Sequence, residues 1–219
     1  MIKSYIIGAT AALALTATAA SAATLSLVGS GIDSDTVNAN DINPSIGVNG
    51  TELEFITGEF QTAFNGLYLT LDPLQDAIVT YTYLGSEAGN TNYSLVMGGQ
   101  QFFNKGGSAS SIGDTVQVLQ EDTGLLSFGF GTSAPAGSVG DIYNDGVAVP
   151  DDSNYAIGYR YISDTSFYVL FDDIAGGDRD FDDIAMRVDV AAVPLPAGGL
   201  LLLSALFGAG ALRRRQKTA

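Results

Sequence analysis

The sequence predicts an all-β fold, an antiparallel β-sandwich of jelly-roll type, on three observations. Apolar side chains alternate with polar ones along several short segments, the period of a half-buried strand. Composition leans the same way, with 27 Gly, 10 Tyr, 11 Phe and only 6 Pro in 219 residues. No window has the 3.6-residue apolar periodicity of a useful amphipathic helix.

The elements follow in order. Leu25–Val28, Leu67–Leu71 and Tyr93–Met97 are short β-prone runs, as is Thr115–Leu119. Val79, Tyr81 and Tyr83 alternate with Ile78, Thr80 and Thr82. Leu126, Phe128 and Phe130 alternate with Ser127 and Gly129, and Ile157, Tyr159 and Tyr161 with Gly158 and Arg160. Phe167, Val169 and Phe171 form another face, and Ile184, Met186, Val188 and Val190 oppose Arg187 and Asp189. Turn clusters at Gly85–Asn92, Gly106–Ser111 and Gly176-Gly177 separate these segments. About nine or ten strands result, in one domain of about 170 residues, long enough to bury its own core. Gly131–Asn154 has little pattern and reads as a long surface loop.

Both ends read as addressing segments. Lys3 precedes an apolar stretch from Ile6 to Ala19, and Ala20-Ser21-Ala22 is a small-residue cleavage signal. Residues 1–22 are therefore expected to be a signal peptide removed by signal peptidase, leaving Ala23 first. From Val193 to Leu212 there is no charge, about the length a bilayer core requires. Arg213, Arg214, Arg215 and Lys217 follow; by the positive-inside rule they stop transfer and stay cytoplasmic. Both signals place residues 23–192 across the membrane. That segment holds all 24 acidic residues but only Lys105, Arg160, Arg179 and Arg187 of the basic ones, a net charge of −20. Such acidity argues against a nucleic-acid partner, which needs clustered Lys and Arg.

The run Val193-Pro194-Leu195-Pro196-Ala197, followed by the apolar span and the arginines, resembles the VPLPA-type C-terminal sorting signal. This is a variant of the PEP-CTERM signals of Gram-negative bacteria, and the likeness covers only residues 193–219. It implies a membrane-embedded exosortase as partner, transient anchoring in the inner membrane, cleavage near the motif, and transfer to the cell surface or extracellular matrix. The two prolines suit that role, because they keep the backbone extended and out of the helix where an enzyme can reach it.

One constellation carries chemistry. Asp172, Asp173, Asp178, Asp180, Asp182 and Asp183 fall within a stretch of twelve residues between two predicted strands, with Arg179 the one basic residue among them. Ca²⁺ takes six to eight oxygen ligands and would relieve their mutual repulsion. The spacing departs from an EF-hand: Asp178, Asp180 and Asp182 match its first three ligand positions, but Asp183 stands where glycine is needed. The run Asp178, Asp180, Phe181, Asp182, Asp183, with Phe171-Asp172-Asp173 before it, resembles instead the D-x-D-F-[ND]-D signature of a bacterial extracellular domain of unknown function (DUF4114-like). A solvated hairpin whose aspartates cap turn N–H groups is the other reading of the same residues. Asp141, Asp145, Asp151 and Asp152 read as solubilising loop residues.

The chain has no His, Cys or Trp. That excludes the Ser-His-Asp triad, thiol nucleophiles, zinc–thiolate sites and disulfides. A glycosidase needs only two carboxylates, but Glu52, Glu54, Glu59, Glu87 and Glu121 sit in no recognisable catalytic setting. The expectation is a non-catalytic, adhesive or structural surface protein. Two alternatives stand beside it. One is a carbohydrate-binding or carbohydrate-active module, on a surface polysaccharide, stacking sugar on Tyr81, Tyr83, Tyr159 or Tyr161. The other is a permanent single-pass membrane protein.

Overall fold

The structure is a computed structural model, and it describes residues 23–29, 33–36, 52–57, 66–72, 75–133, 139–145, 147–149, 155–173 and 180–193, with Ala205 and Phe207. Its strands, in chain order, begin with β1 (Thr24–Val28), β2 (Asp33–Thr36), β3 (Glu52–Thr57), β4 (Gly66–Thr70) and β5 (Ala77–Gly85). Next come β6 (Asn92–Val96), β7 (Gly99–Phe103), β8 (Thr115–Gln120), β9 (Gly124–Leu125) and β10 (Phe128–Ser133). The last are β11 (Val139–Tyr143), β12 (Ala148–Val149), β13 (Ala156–Ser163), β14 (Ser166–Asp172) and β15 (Ile184–Ala192). They form three sheets, ordered β1-β4-β9, β12-β11-β10-β6-β7 and β2-β3-β13-β14-β15-β5-β8. Every strand pair is antiparallel. The all-β expectation therefore holds for the described residues between 23 and 193.

The period-2 pattern places the core. Val79, Tyr81 and Tyr83 of β5 are buried, while Ile78, Thr80 and Thr82 between them are only half-buried. In β15, Ile184, Met186, Val188 and Val190 point inward and Arg187 outward. Arg187 Nε lies 2.6 Å from Asp189 Oδ2, an exposed pair of small energetic weight. One continuous apolar cluster draws on all three sheets, including Leu25 and Leu69, Phe128 and Ile142, and Val169 and Val188. Aromatic contacts join the two larger sheets: Phe130 stacks on Phe171 at 5.3 Å and 9°, and Tyr83 on Phe102 at 5.7 Å and 28°. Such pairs contribute about 0.5–1.5 kcal/mol each beyond their burial.

Two sequence expectations are corrected. Residues 131–154 are not one long loop, because β10 runs on to Ser133 and pairs with β11, which pairs with β12. Backbone pairing makes these strands, so their side chains advertise little. The glycines of β10 matter for this. A Cβ at Gly131 would fall 2.5 Å from the Tyr93 ring and 2.2 Å from Asp141 Oδ1. With no side chain there, Tyr93 reaches across to donate its hydroxyl to Asp141 Oδ1 at 2.7 Å. Asp141 is thus a cross-strand acceptor and not a merely solubilising group. The second correction is small: β6 ends at Val96, and Met97 (φ 53°) with Gly98 (φ 75°) makes the left-handed two-residue turn into β7.

Residues 1–22, Pro194–Ala197 and the basic tail at 213–219 lie outside the described residues. Ala205 and Phe207 are helical and exposed. Among the described residues no helix is long and apolar enough to cross a membrane.

Candidate functional site

The acidic segment sits where two strand ends meet. β14 ends at Asp172, and residues 180–183 lead back into β15. Because β15 pairs with β5, with Ala185 opposite Gly85, the turn after β5 is carried to the same place. Backbone and side-chain bonds fasten the two segments. Glu87 N–H donates to the Asp182 carbonyl at 2.9 Å, and the Ser86 hydroxyl donates to the Asp183 carbonyl. Phe181, fully buried at φ 58°, anchors the acidic side. A non-glycine residue in that left-handed conformation is uncommon, and burial of its ring holds it there.

The carboxylates divide into two groups. Asp173 and Asp183 belong to the scaffold. Asp173 Oδ2 accepts from the Asn90 and Asn92 amides at 3.0 Å each, and Asp183 Oδ2 accepts from Asp173 N–H at 2.6 Å. Asn104 braces the facing turn by donating to Ser86 Oγ at 3.1 Å and to the Asn90 carbonyl at 3.0 Å. Asp172 is buried beside them. Asp180, Asp182 and Glu87 form the second group, with ligand oxygens all within 4.8 Å of one another. Asp182 is buried, Asp180 half-buried and Glu87 exposed, so the cluster opens to solvent on the Glu87 side. Calcium–oxygen distances near 2.3–2.6 Å put two oxygens on one ion at most about 5 Å apart, so the spacing fits an all-oxygen, hard-cation site. Asp178 and Arg179 lie outside the described residues.

Electrostatics match the crowding. Burial, and then the charges of Asp180 and Glu87, push the Asp182 carboxyl up from 3.8 to about 8. Asp183 is also raised to about 8 by burial and by Asp173, Asp172 and Asp180, against the lowering bond from Asp173 N–H. The folded chain thus keeps protons that the unfolded chain releases above about pH 4. Stability falls with pH wherever the folded state binds more protons. With metal removed by chelator, the unfolding midpoint is expected to drop as pH rises from about 5 to about 8. A midpoint that rises over this window would contradict the assignment.

Glu87 is the residue that sequence reasoning did not join to the aspartates. The one available signal was its place in the Gly85–Asn92 turn, and only strand register brings that turn to the site. The tyrosines considered as sugar platforms lie elsewhere: Tyr81, Tyr83 and Tyr159 are buried in the core, while Tyr161 is exposed and packs edge-on against Phe167. Ala23 is buried against the core, and Val193 N–H donates to the Asp76 carbonyl at 2.8 Å. Comparison with known proteins returned no matching family model, no similar curated protein and no similar solved structure.

Proposed function

We propose that this is a non-catalytic bacterial surface or matrix protein, exported by its leader and held in the inner membrane by its C-terminal span. An exosortase then processes it at Val193–Ala197. The exported β-domain, packed as a sandwich, does adhesive or structural work, and Ca²⁺ at Glu87, Asp180 and Asp182 ties the β5–β6 turn to the β14–β15 connection. Bound there, the ion supplies positive charge that offsets the repulsion; the protein residues supply the oxygens and the frame.

The observation that carries the sorting reading is the tripartite order at the C-terminus: VPLPA motif, uncharged span, basic cluster. It stands behind a segment of charge −20 that follows an export leader. The all-oxygen triad supports the calcium reading. Deleting Val193–Ala197 and fractionating the cells tests the sorting. The shortened chain is expected to stay in the inner membrane at unprocessed size; release at the normal mature size would refute the proposal.

A further inference from the structure

β8 closes one side of the seven-stranded sheet, with β5 as its strand partner. Among the described residues, no other backbone hydrogen bond reaches 115–120, so its outer edge presents peptide N–H and C=O groups to solvent. None of its six residues is buried, and exposed and half-buried positions alternate along it. Thr115, Gln117 and Leu119 are the exposed row, Leu119 at 49%; Val116, Val118 and Gln120 face the core side.

Such an edge is normally blunted by charge, proline or shortness. The strand at the other end of the sheet, β2, has four residues and two aspartates. β8, Thr-Val-Gln-Val-Leu-Gln, carries no charge in a segment of net charge −20, and it contains neither Pro nor Gly. Its acidic neighbours, Asp114, Glu121 and Asp122, stand just outside the two ends.

We propose that β8 is a self-pairing edge: a second copy of this chain adds its own β8 antiparallel, joining two seven-stranded sheets across a two-fold axis at Gln117. Directly opposed residues in an antiparallel pair project from the same face. With Gln117 opposite the partner's Gln117, Thr115 faces the partner's Leu119 and Val116 the partner's Val118. The exposed row therefore meets the exposed row, and the core-side row its equivalent. Asp114 faces the partner's Gln120, an amide that can donate to it, and no carboxylate faces another. Sliding by one residue either way would set exposed positions against core-side ones, and in one direction it would also put Asp114 opposite the partner's Glu121. Sliding by two toward Val118 would oppose Asp114 to the partner's Asp122, so face and charge narrow the register. This self-complementarity is the reason for naming a second copy as the occupant, in place of a strand from an unrelated protein.

The chain has no cysteine, so a single introduced thiol is a unique probe. Opposed residues have Cα atoms about 4.5–5.5 Å apart, within the span of a disulfide. Full-length Gln117→Cys, in mild detergent with oxidant, is expected to give a covalent dimer on a non-reducing gel. Ile112→Cys, which is also exposed but far from the axis, is the control and is expected to cross-link at least about tenfold more slowly. In the Gln117→Cys background, Leu119→Lys is expected to cut the rate about tenfold by charging the edge, while uncharged Leu119→Thr retains it. An unchanged thermal midpoint in each variant guards against simple unfolding. Equal cross-linking at residues 112 and 117, absence of dimer, or indifference to Leu119→Lys would each overturn the proposal.

Discussion

Replacing Asn144 by Ala is expected to cost about 3–5 kcal/mol of folding stability. Asn144 follows β11 and is 1% exposed. Its Oδ1 accepts from Leu67 N–H at 2.8 Å and from the Tyr159 hydroxyl at 3.0 Å. Its Nδ2 donates to the Leu67 and Leu126 carbonyls, both at 2.9 Å. One side chain therefore completes backbone groups of β4 and of the link into β10, and it holds a tyrosine of β13. Gly66 serves the same junction. At φ 139° its missing Cβ would lie 1.8 Å from the Asn144 carbonyl oxygen, so only glycine lets β4 approach this closely.

Truncation leaves several buried groups unpaired at about 1–3 kcal/mol each. Water can reach some of them, because a cavity of about 250 Å³ lies alongside, lined by Leu126, Phe128, Tyr143 and Asn144. That partial relief sets the total below the simple sum. For a domain of this size the loss corresponds to a fall of about 10–15 °C in unfolding midpoint. Thermal and urea unfolding check it; a loss under about 1 kcal/mol would mean that Asn144 does not hold the sheets together.

Calcium is expected to raise the unfolding midpoint by roughly 5–10 °C at 10 mM. Extracellular sites of modest ligand number bind near 10⁻⁴–10⁻³ M. At about a hundredfold excess over the dissociation constant, a ligand specific to the native state stabilises by about 2.7 kcal/mol. That energy is roughly 2–4 °C per kcal/mol for a domain of about 170 residues. Two variants separate the site from general charge screening. Asp182→Asn removes a carboxylate that burial and its neighbours oppose, so the metal-free midpoint should hold or rise while the calcium response disappears. Glu87→Gln, at an exposed position, should weaken the response and leave the metal-free midpoint near the parent's. If calcium shifts parent and both variants equally, or shifts none, the triad holds no ion.

The sequence made the inner faces of β5, β14 and β15 legible because each carries three or more large apolar residues at period two. It hid β11 and β12, whose pairing rests on backbone groups and, between β10 and β11, on Gly129 opposite Tyr143 and Gly131 opposite Asp141. The residue Asn144 looked like part of a polar loop; its importance comes from four bonds to partners as far as 77 positions away in the chain. The acidic stretch was visible from charge density alone. Which of its members cooperate was not, since Asp173 and Asp183 turn to asparagine amides and to a backbone N–H, while Glu87 arrives through the β5–β15 register. Tyr81, Tyr83 and Tyr159 illustrate the reverse ambiguity, for a tyrosine at strand spacing suits a core as well as a sugar platform.

The reading as a sorted surface protein stands or falls on both chain ends, and one intact-mass measurement on the protein recovered from cells fixes them together. The expected mature chain begins at Ala23 and ends near the Val193–Ala197 motif, without Arg213, Arg214 and Arg215, plus the mass of any group attached there. A mass that retains the triple arginine would contradict exosortase processing and make the protein a permanently anchored one.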